Sequence, residues 1–410
     1  MSLEGLHCDP HFKPDYSPDM FLAQNYISHF TLIKKSLVVE VGGWSVGVEG
    51  SQDYDLYLKV LELTTKIVHI PKVLYHWRKV AGSTATSFSH KSYAQEAGKK
   101  ALEHALIRRK IDANVEAGRH AGTYRIKYQI QDIPLISIII PFKDRPELLK
   151  VCIESVLSLS TYLNYEIIGI SNNSRETETF ALMKRLSNSD KRVKFYDYDV
   201  PFNYAKINNY AVNTYAKGQH ILLLNNDIEV ISPDWIESML TFSQRENVGA
   251  VGAKLYYEDD TIQHAGVSMG VLTLTGHNFR HLGREANGYM GRESVIQNVS
   301  AVTAACLMVK KELYTLVEGM NEEKLKIAFN DIDLCLRIQE KGYLNVFTPY
   351  CELYHYESLT RGYEDTPEKL KRFSAEVRYM QERHKKILAE GDPYYNINLS
   401  VENEDFAILS

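Results

Sequence analysis

Between residues 134 and 224, short apolar runs alternate with helix-like segments. This alternation restricts the fold more than any other feature of the chain. Residues 135–141 (LISIIIP), 165–171 (YEIIGIS), 193–198 and 220–224 (HILLL) are apolar and too short for most helices, which predicts buried strands. Residues 146–157, 176–186 and 204–215 read as helices, and Pro146 suits a first turn, where its missing N–H costs nothing. Strand–helix alternation of this length predicts an α/β fold, a mainly parallel sheet with helices on both faces. Such sheets bind ligands at the carboxyl ends of their strands, so the residues just after each run carry the chemistry.

The chain also contains an internal repeat. QNYISHFTLIKKSLVVEVGGW, EGSQDYDLYLKVLE and IPKVLYHWR occur in order from Gln24. QNVSAVTAACLMVKKELYTLVEGM, IAFNDIDLCLRIQEKG and TPYCELYHYES occur in the same order from Gln297. Gln24 and Asp53 are 29 positions apart, against 34 for Gln297 and Asp331; Asp53 and His76 are 23 apart, against 24 for Asp331 and His355. Two copies of one supersecondary unit account for this most simply. The alternating segment precedes only the second copy. Residues 1–90 are therefore expected to be the C-terminal part of a truncated domain, from a shortened chain or a degenerate gene. Residues 91–133 read as a linker. Its amphipathic helix over 91–111 follows from Tyr93, Ala97, Ala101, Ala105 and Leu106 at three-to-four spacing, and 112–133 connect it onward with room for a short strand. Residues 134–390 form the complete domain and 391–410 a tail.

The chain has 410 residues, a prior of two to three domains at roughly 150 residues each. Its formal charge of -5 argues against a nucleic-acid partner, which usually selects a basic excess. Five cysteines without a C-x-x-C spacing give neither a disulfide framework nor a zinc knuckle, and point to a reducing, cytoplasmic setting that allows peripheral contact with the inner face of the membrane. The uncharged stretch 261–279 holds Gln263, His264 and Asn278 and is too polar to span a bilayer, and Glu4, His7 and Asp9 interrupt any signal peptide. No G-x-G-x-x-G follows a strand, and neither G-x-x-x-x-G-K-[ST] nor H-E-x-x-H occurs, which argues against nicotinamide enzymes, P-loop ATPases and zinc proteases.

Three strand ends remain: Pro141-Phe142-Lys143-Asp144-Arg145, Ser171-Asn172-Asn173-Ser174 and Asn225-Asn226-Asp227. Asp227 at a sheet edge suits a divalent cation bridging phosphate oxygens, or equally a turn that its carboxylate bonds locally. Asp331 opens a helix carrying Ile332, Cys335, Leu336 and Gln339 at helical spacing. It reads as a general base or as a first-turn cap, and a cap would recur at Asp53 just as a base would. At a helix start its carboxylate is expected to stay ionised at neutral pH. His355, within CELYHY, is either a metal ligand beside Asp227 or a satisfied strand histidine. Residues 256–292, rich in Gly, His and aromatics, suit sugar binding and read as a long loop over the cleft.

SIIIPFKDRPELL, YEIIGISNNS, GQHILLLNNDIEVISPDW and AFNDIDLCLRIQEKGY together resemble a family 2 glycosyltransferase of the GT-A (Rossmann-like) fold, over about residues 134–360. The N-terminal stretch resembles the C-terminal half of the same domain, so the fold is preceded by a partial copy of itself. The whole chain is similar to tandem bacterial enzymes of O-antigen or surface-polysaccharide synthesis. The resemblance implies inverting transfer of a hexosyl, deoxyhexosyl or N-acetylhexosaminyl group. The donor is a nucleoside diphosphate sugar of uridine or thymidine type and the acceptor a saccharide or lipid-linked saccharide, with Mn2+ or Mg2+. It implies Asp331 as base, Asp227 and His355 at the metal, and Pro141, Phe142, Asp144, Ser171, Asn172, Asn225 and Asn226 with Asp227 on the donor. Ser171, Asn225 and Asn330 stand where the family often has acids. A degenerate saccharide-binding scaffold is the alternative these replacements suggest. A nucleotidyltransferase is disfavoured, because PFKDRPE is not a Gly-rich loop.

Overall fold

The structure, a computed structural model, describes residues 2, 5–78, 91–357 and 366–409. Residues 79–90, the end of the expected truncated domain, lie outside them. The N-terminal stretch contains three short helices, α1 (Pro18–Ala23), α2 (Lys35–Glu40) and α3 (Gln52–Val60), and no strand among its described residues. The expected linker helix is α4 (Lys91–Arg108). The segment after it is more ordered than one short strand: β1 (Ala113–Ala117) and β2 (Tyr124–Tyr128) form an antiparallel hairpin with Ala113 opposite Tyr128.

From residue 136 the predicted alternation is present: β3 (Ile136–Phe142), α5 (Pro146–Leu159), β4 (Tyr165–Ser171), α6 (Thr177–Ser189), β5 (Val193–Asp197), α7 (Tyr204–Thr214) and β6 (His220–Leu224). Then follow β7 (Ile228–Val230), α8 (Trp235–Ser243) and β8 (Val248–Tyr256). Residues 256–292 are not one long loop. They contain β9 (Ile262–His264), β10 (Val267–Met269) and β11 (Thr275–His277), because β9 finds the free edge of β8 and the other two pair with each other. The chain closes with β12 (Gln297–Asn298), β13 (Cys306–Lys310), α9 (Lys311–Leu316), α10 (Asn330–Glu340), β14 (Leu344–His355), α11 (Pro367–Arg383) and α12 (Lys385–Glu390).

The main sheet runs β12-β14-β8-β13-β6-β3-β4-β5, with β7 on β14 and β9 on β8. β6, β3, β4 and β5 are parallel, as are β14 and β8, while β13 is antiparallel to both neighbours. The period of two sorts each strand between two cores. Ile136, Ile138 and Ile140 with Leu222 and Leu224 face one, and Ile139 with Ile221 and Leu223 face the other. Helices cover both faces, so the strands read as continuous apolar runs.

The N-terminal stretch is fastened to this domain. Asp19 on α1 is buried, accepts from Asn298 Nδ2 at 2.8 Å and pairs with Arg245 at 2.5 Å, and the Arg245 guanidinium lies over the Tyr128 ring of the hairpin. The tail is equally engaged: Phe406 stacks on Phe279 at 4.4 Å and Asp392 Oδ2 accepts from Met269 N. Leu399 and Phe406 belong to the second core. Breaking a buried ion pair by removing one partner leaves an uncompensated charge. Asp19→Ala should therefore lower stability by about 3–5 kcal/mol in urea unfolding. A loss below ~1 kcal/mol, typical of exposed pairs, would mean that α1 is not anchored in this way.

Candidate active site

The site lies where β6 ends. Because β13 runs antiparallel to β6 with Cys306 opposite Leu224, the residues before β13 meet those after β6, and Asn225 N donates to Ala305 O at 3.0 Å. One wall is therefore 225–227 and the other 303–305. A close backbone approach supports the second wall: a Cβ on Gly252 of β8 would lie 2.4 Å from Val302.

On the first wall Asp227 is buried, and its Oδ1 lies 3.2 Å from His355 Nε2 without a well-aligned hydrogen bond. β14 delivers His355 to this point by pairing with β7, His355 opposite Ile228. His355 Nδ1 is 2.6 Å from Gln263 Oε1, an acceptor, so Nδ1 carries a proton and donates. Its Nε2 also lies 3.2 Å from Asn225 Nδ2. Burial works against a charge on His355, but the Asp227 carboxylate outweighs it and raises the pKa above the usual histidine value.

On the second wall Asp331, in the first turn of α10, accepts from Ala304 N at 2.9 Å and Thr303 Oγ1 at 3.1 Å through Oδ2, and from Ile332 N at 2.9 Å through Oδ1. Burial pushes its pKa above the usual carboxylate value, and these donors offset that only in part. The same shift makes it a better base than a solvent-exposed aspartate. Tyr204 joins the walls. Its hydroxyl lies 3.0 Å from Asn225 Oδ1 and 3.1 Å from Ala304 O, and burial, with the Asp331 charge second, raises its pKa far above the usual phenol value.

The other residues singled out in the sequence hold loops. Asp144 Oδ1 accepts from Arg175 N and Glu176 N, tying the turn after β3 to the start of α6. Asn172 Nδ2 donates to Tyr198 O and Val200 O. Pro141 and Phe142 are buried at the end of β3, Phe142 edge-on to Phe195, and Ser171 is buried at the end of β4. Asn226 is buried with Nδ2 unpartnered. Asn330 Nδ2 donates to Ile327 O, so this neutral residue closes the turn into α10. Gln263, Thr303 and Tyr204 were not marked by any motif. Only their sequence context, polar groups beside apolar runs near an expected cleft, hinted at them. His264 and His277, also flagged only by composition, contact each other through Nδ1 atoms at 3.0 Å, and burial lowers both pKa values, His277 to about 4.

Asp227 Oδ1 and His355 Nε2 suit a divalent cation: a buried carboxylate oxygen with no hydrogen-bond donor faces an imidazole nitrogen whose ring is oriented from behind. No cluster of three or more His, Cys, Asp or Glu side chains fit for a metal occurs among the described residues. The pair therefore fits a cation that takes its other ligands from phosphate oxygens and water. Among the described residues no helix is long and apolar enough to cross a membrane.

The architecture is that of GT-A glycosyltransferases. GalNAc-T7, solved in a crystal structure with UDP, GalNAc and Mn2+, superposes with a TM-score of 0.51 at 14% identity, over 67% of this chain and 53% of that one. Residues 137–314 match the family described as Glycosyl transferase family 2, and the chain carries a domain of that family. It is 46% identical over 409 residues to the uncharacterized protein y4gI of Sinorhizobium fredii, and 35% identical over 407 residues to the O-antigen biosynthesis protein RfbC of Myxococcus xanthus. Each alignment covers 99% of this chain but only 45% and 31% of the relative, so the chain spans less than half the length of the curated relatives it matches.

The raised pKa of Asp331 has a consequence for stability. As pH rises, the unfolded chain releases this proton first, so folding loses stability from the unfolded pKa, about 3.9, up to the higher folded value. Asp331→Asn removes the buried charge and keeps an acceptor oxygen. Its Tm should equal or exceed the parent's at neutral pH, and the advantage should vanish in mild acid. A lower Tm at neutral pH would show that the carboxylate is there to hold the helix.

Proposed function

We propose that the second domain transfers a sugar, with inversion, from a nucleoside diphosphate sugar to a saccharide hydroxyl in bacterial surface-polysaccharide synthesis. The observation that carries the reading is the pairing across one strand edge of Asp227–His355, fit for a cation, with the elevated carboxylate of Asp331. The naming of the Myxococcus xanthus relative as an O-antigen biosynthesis protein supports the polysaccharide setting, and the Mn2+ and UDP of GalNAc-T7 support the cofactor and donor class. A cytoplasmic setting, suggested by five cysteines without a disulfide spacing, and the uridine or thymidine base are parts of the same proposal.

A sugar hydroxyl is a poor nucleophile near neutral pH, and its reactivity rises as a base removes the proton. In the proposed step Asp331 accepts the hydroxyl proton as the hydroxyl oxygen bonds to the anomeric carbon. The bond from that carbon to the diphosphate oxygen breaks, and the electron pair leaves with the diphosphate. Asp227 and His355 would hold a divalent cation, which would supply charge neutralisation for that leaving group. Thr303 and the Ala304 N–H fix the carboxylate, so the base is aimed before substrate arrives. Asn225 in place of an acid leaves Asp227 the one carboxylate of the 225–227 turn, with the Asn225 amide placed to bond Tyr204 and His355.

Asp331→Asn should lower turnover by about 10²–10⁴ while leaving donor affinity unchanged. The parent rate should also fall with acidity through a pKa above that of an ordinary aspartate. Near-parent turnover in the variant, in a radiolabelled-sugar transfer assay, would return Asp331 to a purely structural role and favour the scaffold alternative.

Asp227→Ala should abolish calorimetrically detectable binding of both Mn2+ and nucleoside diphosphate, and excess chelator should stop transfer by the parent protein. Unchanged diphosphate affinity in the variant, or full activity with chelator, would sink the assignment.

A further inference from the structure

We infer that residues 24–77 are the base-carrying half of a second transferase site. Their exposed apolar residues dock a nucleotide-binding α/β segment, built like residues 134–230 and carried on the same polypeptide. The inference rests on the reading of Asp331 as a base, because it extends that role to Asp53.

The two copies agree in three-dimensional detail. α2 and α9 each have six residues and begin after a lysine of matching backbone, Lys34 at φ -60 and ψ 123 and Lys310 at φ -61 and ψ 135. Both are followed by two left-handed residues, Gly42 and Gly43 at φ 77 and 68, and Glu318 and Gly319 at φ 62 and 65. In α3, Lys59 pairs with Asp55 at 3.1 Å and reaches back to Gly43 O; in α10, Arg337 pairs with Asp333 at 2.7 Å and reaches back to Gly319 O. Asp53 accepts from Tyr54 N at 2.9 Å through Oδ1 and from Asn25 Nδ2 at 3.1 Å through Oδ2. Asp331 uses the same two oxygens in the same way, with Ile332 N at 2.9 Å and Thr303 Oγ1 at 3.1 Å. A cap alone would not need a side-chain donor 28 residues away.

The copies differ in what covers them. Leu32, Trp44 and Leu74 are 91%, 61% and 61% exposed, and their counterparts Met308, Met320 and Leu353 are 0%, 2% and 0% exposed. Met308 lies opposite Leu222 of β6 and Leu353 opposite Val230 of β7, and all four side chains share the first core. β6 and β7 both belong to the nucleotide-side half, 134–230. Large apolar residues left exposed where their counterparts are fully buried mark an interaction surface. The surface matches an α/β half of that construction, since that is what buries its twin. The curated relatives, more than twice as long as this chain, have room for one in the same polypeptide.

The test uses the polypeptide as its own gene encodes it, with photo-crosslinking benzoylphenylalanine at Leu32. The control position is Leu163, 71% exposed on the second domain. The expected crosslink from position 32 is intramolecular and independent of concentration, and lands beside an apolar strand that ends in an acid. A crosslink between two copies, or a yield no higher than at position 163, overturns the proposal. Asp53→Asn should then lower formation of one linkage by about 10²–10⁴ while Asp331→Asn lowers a different one. If only Asp331→Asn removes a linkage, the second site is wrong and the reading of Asp331 stands. If neither does, both are wrong.

Discussion

The antiparallel insertion of β13 between β6 and β8 is the constraint on which the site depends. A parallel sheet gathers the carboxyl ends of its strands at one edge, where loops can hold a nucleotide. A parallel β13 would begin at the opposite edge. Run in reverse, with Cys306 opposite Leu224, it begins at the working edge, so Thr303 and Ala304 meet Asn225 and the α10 carboxylate is held beside the strand-end acid. Tyr204 from α7 then fixes the spacing by bonding to both walls from below.

Opposed charge environments follow from this geometry. Asp227 sits against the His355 imidazole, while Asp331, half-buried among neutral donors, has an elevated pKa. Two carboxylates near one cleft are thereby made different, one fit to hold a cation and one fit to take a proton. Asn225 serves that division, because a third carboxylate beside Asp227 and His355 would add repulsion where the amide instead bonds Tyr204.

Much of this was legible in the sequence. The runs at 165–171 and 220–224 are strands with the bounds their composition implies, since burial on both faces makes their interiors continuously apolar. Asp227 stood out after an apolar strand, Asp331 at a helix start and His355 within an apolar run, and the family resemblance is what gave them roles as ligand or base. Gln263 and Thr303 were not legible as partners. They act 92 and 28 positions away from the residues they orient, and only the folded sheet brings them there. The resemblance puts Asp144 and Asn172 on the donor; their side chains also bond backbone groups of neighbouring loops, contacts that spacing does not reveal. The attachment of the N-terminal stretch was hidden for the same reason, since Asp19 meets Arg245 across more than half the chain.

The central claim is that Asp227 and His355 form the cation site at the strand edge, within reach of the base on α10. The most direct measurement is a crystal structure of the protein with Mn2+ and UDP, with data collected at the manganese absorption edge. The account predicts one strong anomalous peak in bonding contact with Asp227 Oδ1 and His355 Nε2 and with the diphosphate. A peak bound elsewhere, or UDP seated without manganese between these two side chains, would contradict it.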